Sequence, residues 1–162
     1  MILTYDNLSE ILDLAQKLTE NKLTLSLAES CTGGSISSLV TDIPGASEFF
    51  LGCAVTYSNQ SKEKSLNVPH GTLTKYGAVS AETAEEMAIG AKRLFDSDIA
   101  ASVTGIAGPS GGTPAKPVGT VFIAVTDGKR TEHMRLKLKG TRNEIREATA
   151  EILIRMITEF VG

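Results

Sequence analysis

Apolar positions along the chain recur with two periods, and the switches between them mark helices and strands. Leu8, Ile11, Leu12, Ala15 and Leu18 fall at helical spacing and predict an amphipathic helix over residues 5–21. Leu23 to Ala28 is a short apolar run that reads as a strand. Ile36, Leu39 and Val40 return to helical spacing just after it, in a segment whose Gly33, Gly34 and several serines make it a poor helix by propensity. Such a local conflict is expected at functional sites. Pro44-Gly45 ends it.

Phe49 to Tyr57 predicts a second strand, with Phe49, Leu51, Cys53, Val55 and Tyr57 on one face. Ser58 or Asn59 can cap the next helix, which carries Lys62. Pro69 to Tyr76 suggests a further helical turn or two, ended by Gly77. Ser80 caps a stronger helix, acidic early (Glu82, Glu85, Glu86) and basic late (Lys92, Arg93), as the helix dipole favours. Its apolar stripe is Ala84, Met87, Ala88, Ala91, Leu94 and Phe95. Ile99 to Val103 predicts a third strand, followed by a Gly/Pro-rich loop from Gly105 to Pro117. Val118–Thr126 and Thr131–Leu138 predict two more, joined through Asp127-Gly128, a strong hairpin signal. The last alternates Met134, Leu136 and Leu138 against His133, Arg135 and Lys137, as a strand solvated on one face would. Thr141 and Glu144 form a capping box for a final helix with a stripe of Ile145, Ala148, Ile152, Met156 and Phe160.

Alternating helices and strands followed by a hairpin predict an α/β fold: a three-layer α/β/α sandwich around a mixed, mostly parallel sheet of about five strands. No repeat, low-complexity tract or linker divides the 162 residues, so 1–162 reads as one domain. Ligands of such sheets collect at the carboxyl ends of the strands. Ser30, Tyr57, Lys62 and Thr104 all fall at or just beyond predicted strand ends, and parallel strands would bring them to one crevice.

Composition narrows the classes. A chain that is 41% hydrophobic and 22% charged is not disordered. With 5% aromatic residues and no Trp it is a poor base-stacking platform, and a net charge of −3 argues against a broad nucleic-acid surface. A local anion site stays open. Two cysteines, Cys31 and Cys53, give neither a disulfide framework nor a zinc pattern. Asp6, Glu10 and Asp13 argue against a secretion signal, and no apolar run approaches the ~18 residues of a membrane span. The expectation is a soluble cytoplasmic protein that needs no metal or cofactor and binds neither nucleic acid nor membrane.

The chemistry concentrates at Glu29-Ser30-Cys31-Thr32-Gly33-Gly34, where a strand hands over to a helix. A hydroxyl there can attack, and the amides of Cys31, Thr32 and Gly33 can hold the resulting oxyanion. Serine needs a base. His70 and His133 both read as surface residues, so a Ser-His-Asp triad is poorly supported and a lysine is the remaining type of base. Lys62 qualifies if its pKa falls from ~10.4 to ~8, which takes about 3.3 kcal/mol, most of it from burial. Glu29 would oppose that fall and is expected to point elsewhere. Tyr57 can relay a proton or hold the amine. Cys31 competes as nucleophile, but Thr32-Gly33-Gly34 fits an elbow at position 30 better. By position alone, Lys62 reads more readily as a solvated helix lysine. The loop 105–113, with Gly105, Gly108, Gly111 and Gly112, can cradle a phosphate or be a plain connection. It lacks the spacing of a P-loop or of a dinucleotide fold. Arg142, at the start of the last helix, is a phosphate ligand or an exposed arginine.

Four segments carry a family resemblance: E-S-C-T-G-G, V-T-Y-S-N-x-x-K, T-G-I-A-G-P-x-G-G-T-P-x-K-P-V-G-T-V and G-x-R. Together they resemble the C-terminal domain of CinA, the nicotinamide-nucleotide amidase family, over nearly the whole chain. The resemblance implies hydrolysis of the carboxamide of nicotinamide mononucleotide to nicotinic acid mononucleotide and ammonia, a step of pyridine nucleotide salvage. It maps the nucleophile to Ser30, the lysine base to Lys62, the motif tyrosine to Tyr57, a strand-end hydroxyl to Thr104 and an arginine to Arg142. It also implies a homo-oligomer. Larger members carry an additional N-terminal domain linked to pyrophosphatase activity; these residues do not include it, so that activity is not implied. Gln60-Ser61 and Ser110 depart from the pattern without removing a proposed catalytic atom. Two other classes remain: a nucleotide-binding regulatory module without turnover, and a serine amidase acting on another small amide.

Overall fold

The computed structural model describes residues 5–162. Their elements run α1 (Tyr5–Glu20), β1 (Leu25–Glu29), α2 (Ser35–Thr41), a 3-10 turn at Ala46–Glu48, β2 (Phe50–Val55), α3 (Asn59–Leu66), α4 (His70–Tyr76), α5 (Ala81–Phe95), β3 (Ile99–Gly105), β4 (Thr120–Thr126), β5 (Thr131–Lys137) and α6 (Arg142–Val161). The strands form one sheet in the order β2-β1-β3-β4-β5. β1 pairs in parallel with β2 and β3, and β4 runs antiparallel to both β3 and β5. Four strands therefore point one way and β4 the other, the mixed three-layer α/β/α sandwich expected.

The layers follow from strand alternation. Leu25, Leu27, Ile99, Ala101, Val103, Val121, Ile123 and Val125 face α1, α2 and α6 and form the main core with them. The opposite face carries small residues, Ala28, Ala100, Ser102 and Ala124, all fully buried. Small side chains on both partners let a helix approach closely, and α5 answers with Ala84, Ala88 and Ala91. Ser102 donates to the Ala84 carbonyl, so its hydroxyl is satisfied inside this seam. Against α5 lies α3: a Cβ on Gly90 would stand 2.3 Å from the Leu66 carbonyl oxygen. Glycine is thus required where the two helices touch. Among the described residues no helix is long and apolar enough to cross a membrane.

Several patterns resolve differently from their sequence reading. β2 is an edge strand whose register slips beside Leu51: Phe50 pairs with Leu25 and Gly52 with Ser26. The slip breaks the shared face expected from Phe49 to Tyr57, leaving Leu51 43% and Val55 49% exposed. In α5, Leu94 is exposed, while Phe95 covers Gly52. In β5, an edge strand, Leu136 is buried but Met134 is exposed. The buried face of α6 departs from its predicted stripe: Ala148 and Ile152 are only partly buried, and the face includes Thr149 and Thr158. Their hydroxyls bond back to the carbonyls of Ile145 and Ile154, which removes the cost of burying them.

Candidate active site

The site begins where β1 ends. The Ser30 amide still donates to the Val103 carbonyl at 3.1 Å, so the ladder with β3 runs one residue past the strand. The chain then turns back: the Gly33 amide donates to the Ser30 carbonyl at 3.0 Å. Gly33 and Gly34 take φ of +62° and +95°, the left-handed region that suits glycine. Helix α2 starts only at Ser35, so Ser30 stands on a tight turn ahead of the helix. Glu29 explains the offset. Its fully buried carboxylate accepts from the amides of Gly34 (2.8 Å), Ile36 (3.3 Å) and Ser37 (2.7 Å). It caps the helix and, as expected, points away from Lys62.

The helix-start amides are thereby occupied, which alters the expected oxyanion set. The Gly33 amide is closed on Ser30 and is not free for a ligand. The Cys31 and Thr32 amides donate to no other described residue's backbone, and of the two only Cys31 lines the cleft.

Lys62 reaches the same point from the other side. The Thr56 amide donates to the Glu29 carbonyl at 2.8 Å, extending the parallel pairing beyond β2. Ser58 then caps α3, forming a capping box with Ser61. Lys62 is one turn into this helix and is 1% exposed. Its Nζ lies 2.9 Å from Ser30 Oγ and 2.7 Å from the Thr56 carbonyl oxygen. Burial pulls its pKa down from 10.5 to about 8, with the neighbouring Cys31 thiol opposing slightly. Serine hydroxyl and depressed amine are therefore in contact. Burial also pushes the Cys31 thiol up to about 11 and Cys53 up to about 12, so neither is a thiolate near neutral pH. That favours the hydroxyl at position 30 over the thiol at 31.

The cleft around this contact holds about 330 Å³. Of the residues singled out from sequence, Ser30, Cys31, Tyr57, Lys62, Thr104, Gly105, Gly108, Gly111 and Arg142 line it; Thr32, Gly33 and Gly112 do not. Thr104 Oγ1 donates to the Ala78 carbonyl at 2.7 Å. Arg142 opens α6 and spans the mouth, donating to the Gly108 carbonyl at 2.7 Å and to the Tyr57 hydroxyl at 3.0 Å. Tyr57, 62% exposed, thus meets Arg142 and not the amine; the Thr56 carbonyl does the holding assigned to it. Two cations and no carboxylate line the cleft, an environment that suits an anionic ligand. His70 and His133 lie elsewhere, paired on the surface with Glu63 and Glu85. Among the described residues no group of His, Cys, Asp and Glu could hold a metal ion.

Sequence reasoning missed Ala78 and Val79 as lining residues, neither of which carries a charge to flag it; Ile106, Ala107 and Ser110 line the cleft from within the 105–113 loop. It also missed Arg146, one helical turn beyond Arg142, whose Nη2 donates to the Thr32 carbonyl at 2.7 Å. The i, i+4 spacing of the two arginines on one helix was the available signal.

Comparison with known proteins points one way. A family model described as the CinA C-terminal domain matches residues 8–161. A CinA-like protein of Endomicrobium trichonymphae is 54% identical over 140 residues, covering 86% of this chain and 33% of the relative. One from Thermotoga neapolitana is 53% identical over 133 residues, covering 82% and 32%. The chain thus spans about a third of the length of these curated relatives. The competence/damage inducible protein CihA from Agrobacterium tumefaciens superposes with a TM-score of 0.97 at 36% identity, over 100% of this chain and 99% of that one. A CinA superfamily protein from Klebsiella pneumoniae gives 0.92 at 28% identity, over 96% and 97%.

Proposed function

The chain belongs to the CinA C-terminal domain family, and from that premise we propose that its cleft hydrolyses the carboxamide of nicotinamide mononucleotide. The products are nicotinic acid mononucleotide and ammonia. The observation that carries this reading is the 2.9 Å contact between Lys62 Nζ and Ser30 Oγ, with the amine buried. With its pKa near 8, about a tenth of the Lys62 amine is neutral at pH 7, against about three in ten thousand for an ordinary lysine.

The neutral amine keeps its bond to the Thr56 carbonyl and turns its lone pair to the Ser30 hydroxyl. Ser30 Oγ attacks the amide carbon as Lys62 takes the proton. The Cys31 amide, directly after the nucleophile, donates to the oxyanion. Lys62 returns the proton to the amide nitrogen, the C–N bond breaks, and ammonia leaves an acyl ester on Ser30. Water, deprotonated by the same amine, cleaves the ester; Ser30 regains its proton and the nicotinic acid mononucleotide departs. Arg142 and the 105–113 loop hold the phosphate, and Thr104 borders the bound ring. Arg142 spends two N–H groups on protein acceptors and has others for a ligand.

Ammonia release from nicotinamide mononucleotide tests the reading. The parent protein turns it over, and Ser30→Ala abolishes turnover while calorimetry still records nucleotide binding. Binding by the parent with no ammonia would instead favour a regulatory module. Equal turnover of amides lacking a phosphate would favour a general amidase.

A further inference from the structure

Arg146 does no work in the mechanism above, yet it is tied to the nucleophile turn by a short bond across 114 residues of sequence. Its guanidinium donates to the Thr32 carbonyl at 2.7 Å. Among the described residues no carboxylate lies within ion-pair distance of it. Nothing nearby neutralises its charge by direct pairing.

The contact continues through the backbone. The Thr32 carbonyl shares its peptide unit with the Gly33 amide, which donates to the Ser30 carbonyl at 3.0 Å. The Ser30 carbonyl shares its peptide unit with the Cys31 amide, which donates to no other described residue's backbone and belongs to a residue lining the cleft. Guanidinium, Thr32–Gly33 peptide and Ser30–Cys31 peptide therefore form one head-to-tail chain of donors and acceptors. Hydrogen bonds in such a chain polarise one another, more so where water is excluded. A cation at the head withdraws electron density at each carbonyl and leaves the terminal N–H a stronger donor.

We infer that Arg146 is a positioning residue that braces the nucleophile turn and strengthens the Cys31 N–H as the oxyanion donor. The inference rests on the amidase reading for its role in turnover. The polarisation itself can be observed without turnover.

The test compares Arg146→Met, Arg146→Gln and Arg146→Lys with the parent, by ammonia release and by the amide proton shift of Cys31 in ¹⁵N-labelled protein. Losing a whole oxyanion donor costs about 10²–10³ in kcat, so weakening one in the Met variant should lower kcat by about tenfold or more while KM changes little. The Lys variant, which keeps the charge, recovers more kcat than the Gln variant, which keeps only a neutral donor. The Cys31 amide proton moves upfield in Met and back toward the parent in Lys. A Met variant with kcat within twofold of the parent would overturn the inference. So would Gln matching Lys, or a fall in kcat with the Cys31 resonance unmoved, since these describe a brace without polarisation. If the Met variant does not fold, the Lys and Gln pair decides. If the parent releases no ammonia, the amidase reading falls and the Cys31 resonance alone decides whether the turn is polarised.

Discussion

Replacing Lys62 with Met separates what the amine does for turnover from what its burial does to stability. Met has a similar reach and no charge. In the parent the folded chain holds this amine at a pKa of about 8, against an ordinary 10.5. That difference amounts to about 3 kcal/mol of burial cost carried by the protonated form. The folded-state pKa is lowered, so between pH 8 and 10.5 the unfolded chain binds a proton that the folded chain does not. Stability from this group therefore rises with pH across that window, and the full cost is present below pH 8. Met carries no such cost, though it leaves the Thr56 carbonyl without its partner, a loss of about 1–3 kcal/mol. The offset is independent of pH, so the slope carries the test: the Tm of Lys62→Met relative to the parent should be highest below pH 8 and decline steadily toward pH 10.5. Turnover goes the other way. In the parent, kcat/KM should rise tenfold per pH unit below pH 7, with a midpoint near 8, and level above pH 9. The variant should lose about 10²–10⁴ in rate, as removal of a general base does. A flat pH–rate profile, a midpoint below 7, or a variant within tenfold of the parent would refute the lysine base. A Tm difference that does not vary with pH would refute the depressed amine.

Two further predictions concern the frame. Glu29→Gln replaces a buried carboxylate accepting from three amides by a neutral group with two donors of its own; it should lower stability by about 1.5–3 kcal/mol in urea titration, and unchanged stability would mean the cap contributes little. Gly90→Ala places a methyl against the Leu66 carbonyl and should cost about 1–3 kcal/mol despite the better helix propensity of alanine, read as a fall in Tm.

The elements most legible in the sequence were those with strong periodicity or an end signal. Ser80, Thr141 and Asp127-Gly128 mark their helix starts and hairpin where the structure has them, because caps and tight turns are decided by local chemistry. Long-range register is not local. Gly52 inside the strand run hints at a bulge, but the slip against β1 depends on which strand pairs with Phe50 and Gly52. The meeting of Ser30 with Lys62 was legible because both sit at the ends of parallel strands, where topology gathers side chains. The capping by Glu29 and the grip of Arg146 were not. Each depends on a side chain reaching backbone groups that another element leaves open; the i, i+4 spacing from Arg142 puts Arg146 on the same face but does not reveal the carbonyl it grips.

The alanine- and serine-lined seam beneath α5 has a consequence for how the cleft tolerates change. This layer has almost no slack: methyl-sized groups face one another across it, and Gly90 lets α5 rest on the helix that delivers Lys62. A bulkier residue at Ala100 or Ala124 would lift α5, and α3 would ride with it. Displacing the amine by even an ångström would stretch its contact with Ser30 beyond useful reach. Drift in catalytic rate can therefore begin at residues that never meet a ligand, on the far side of a helix from the chemistry.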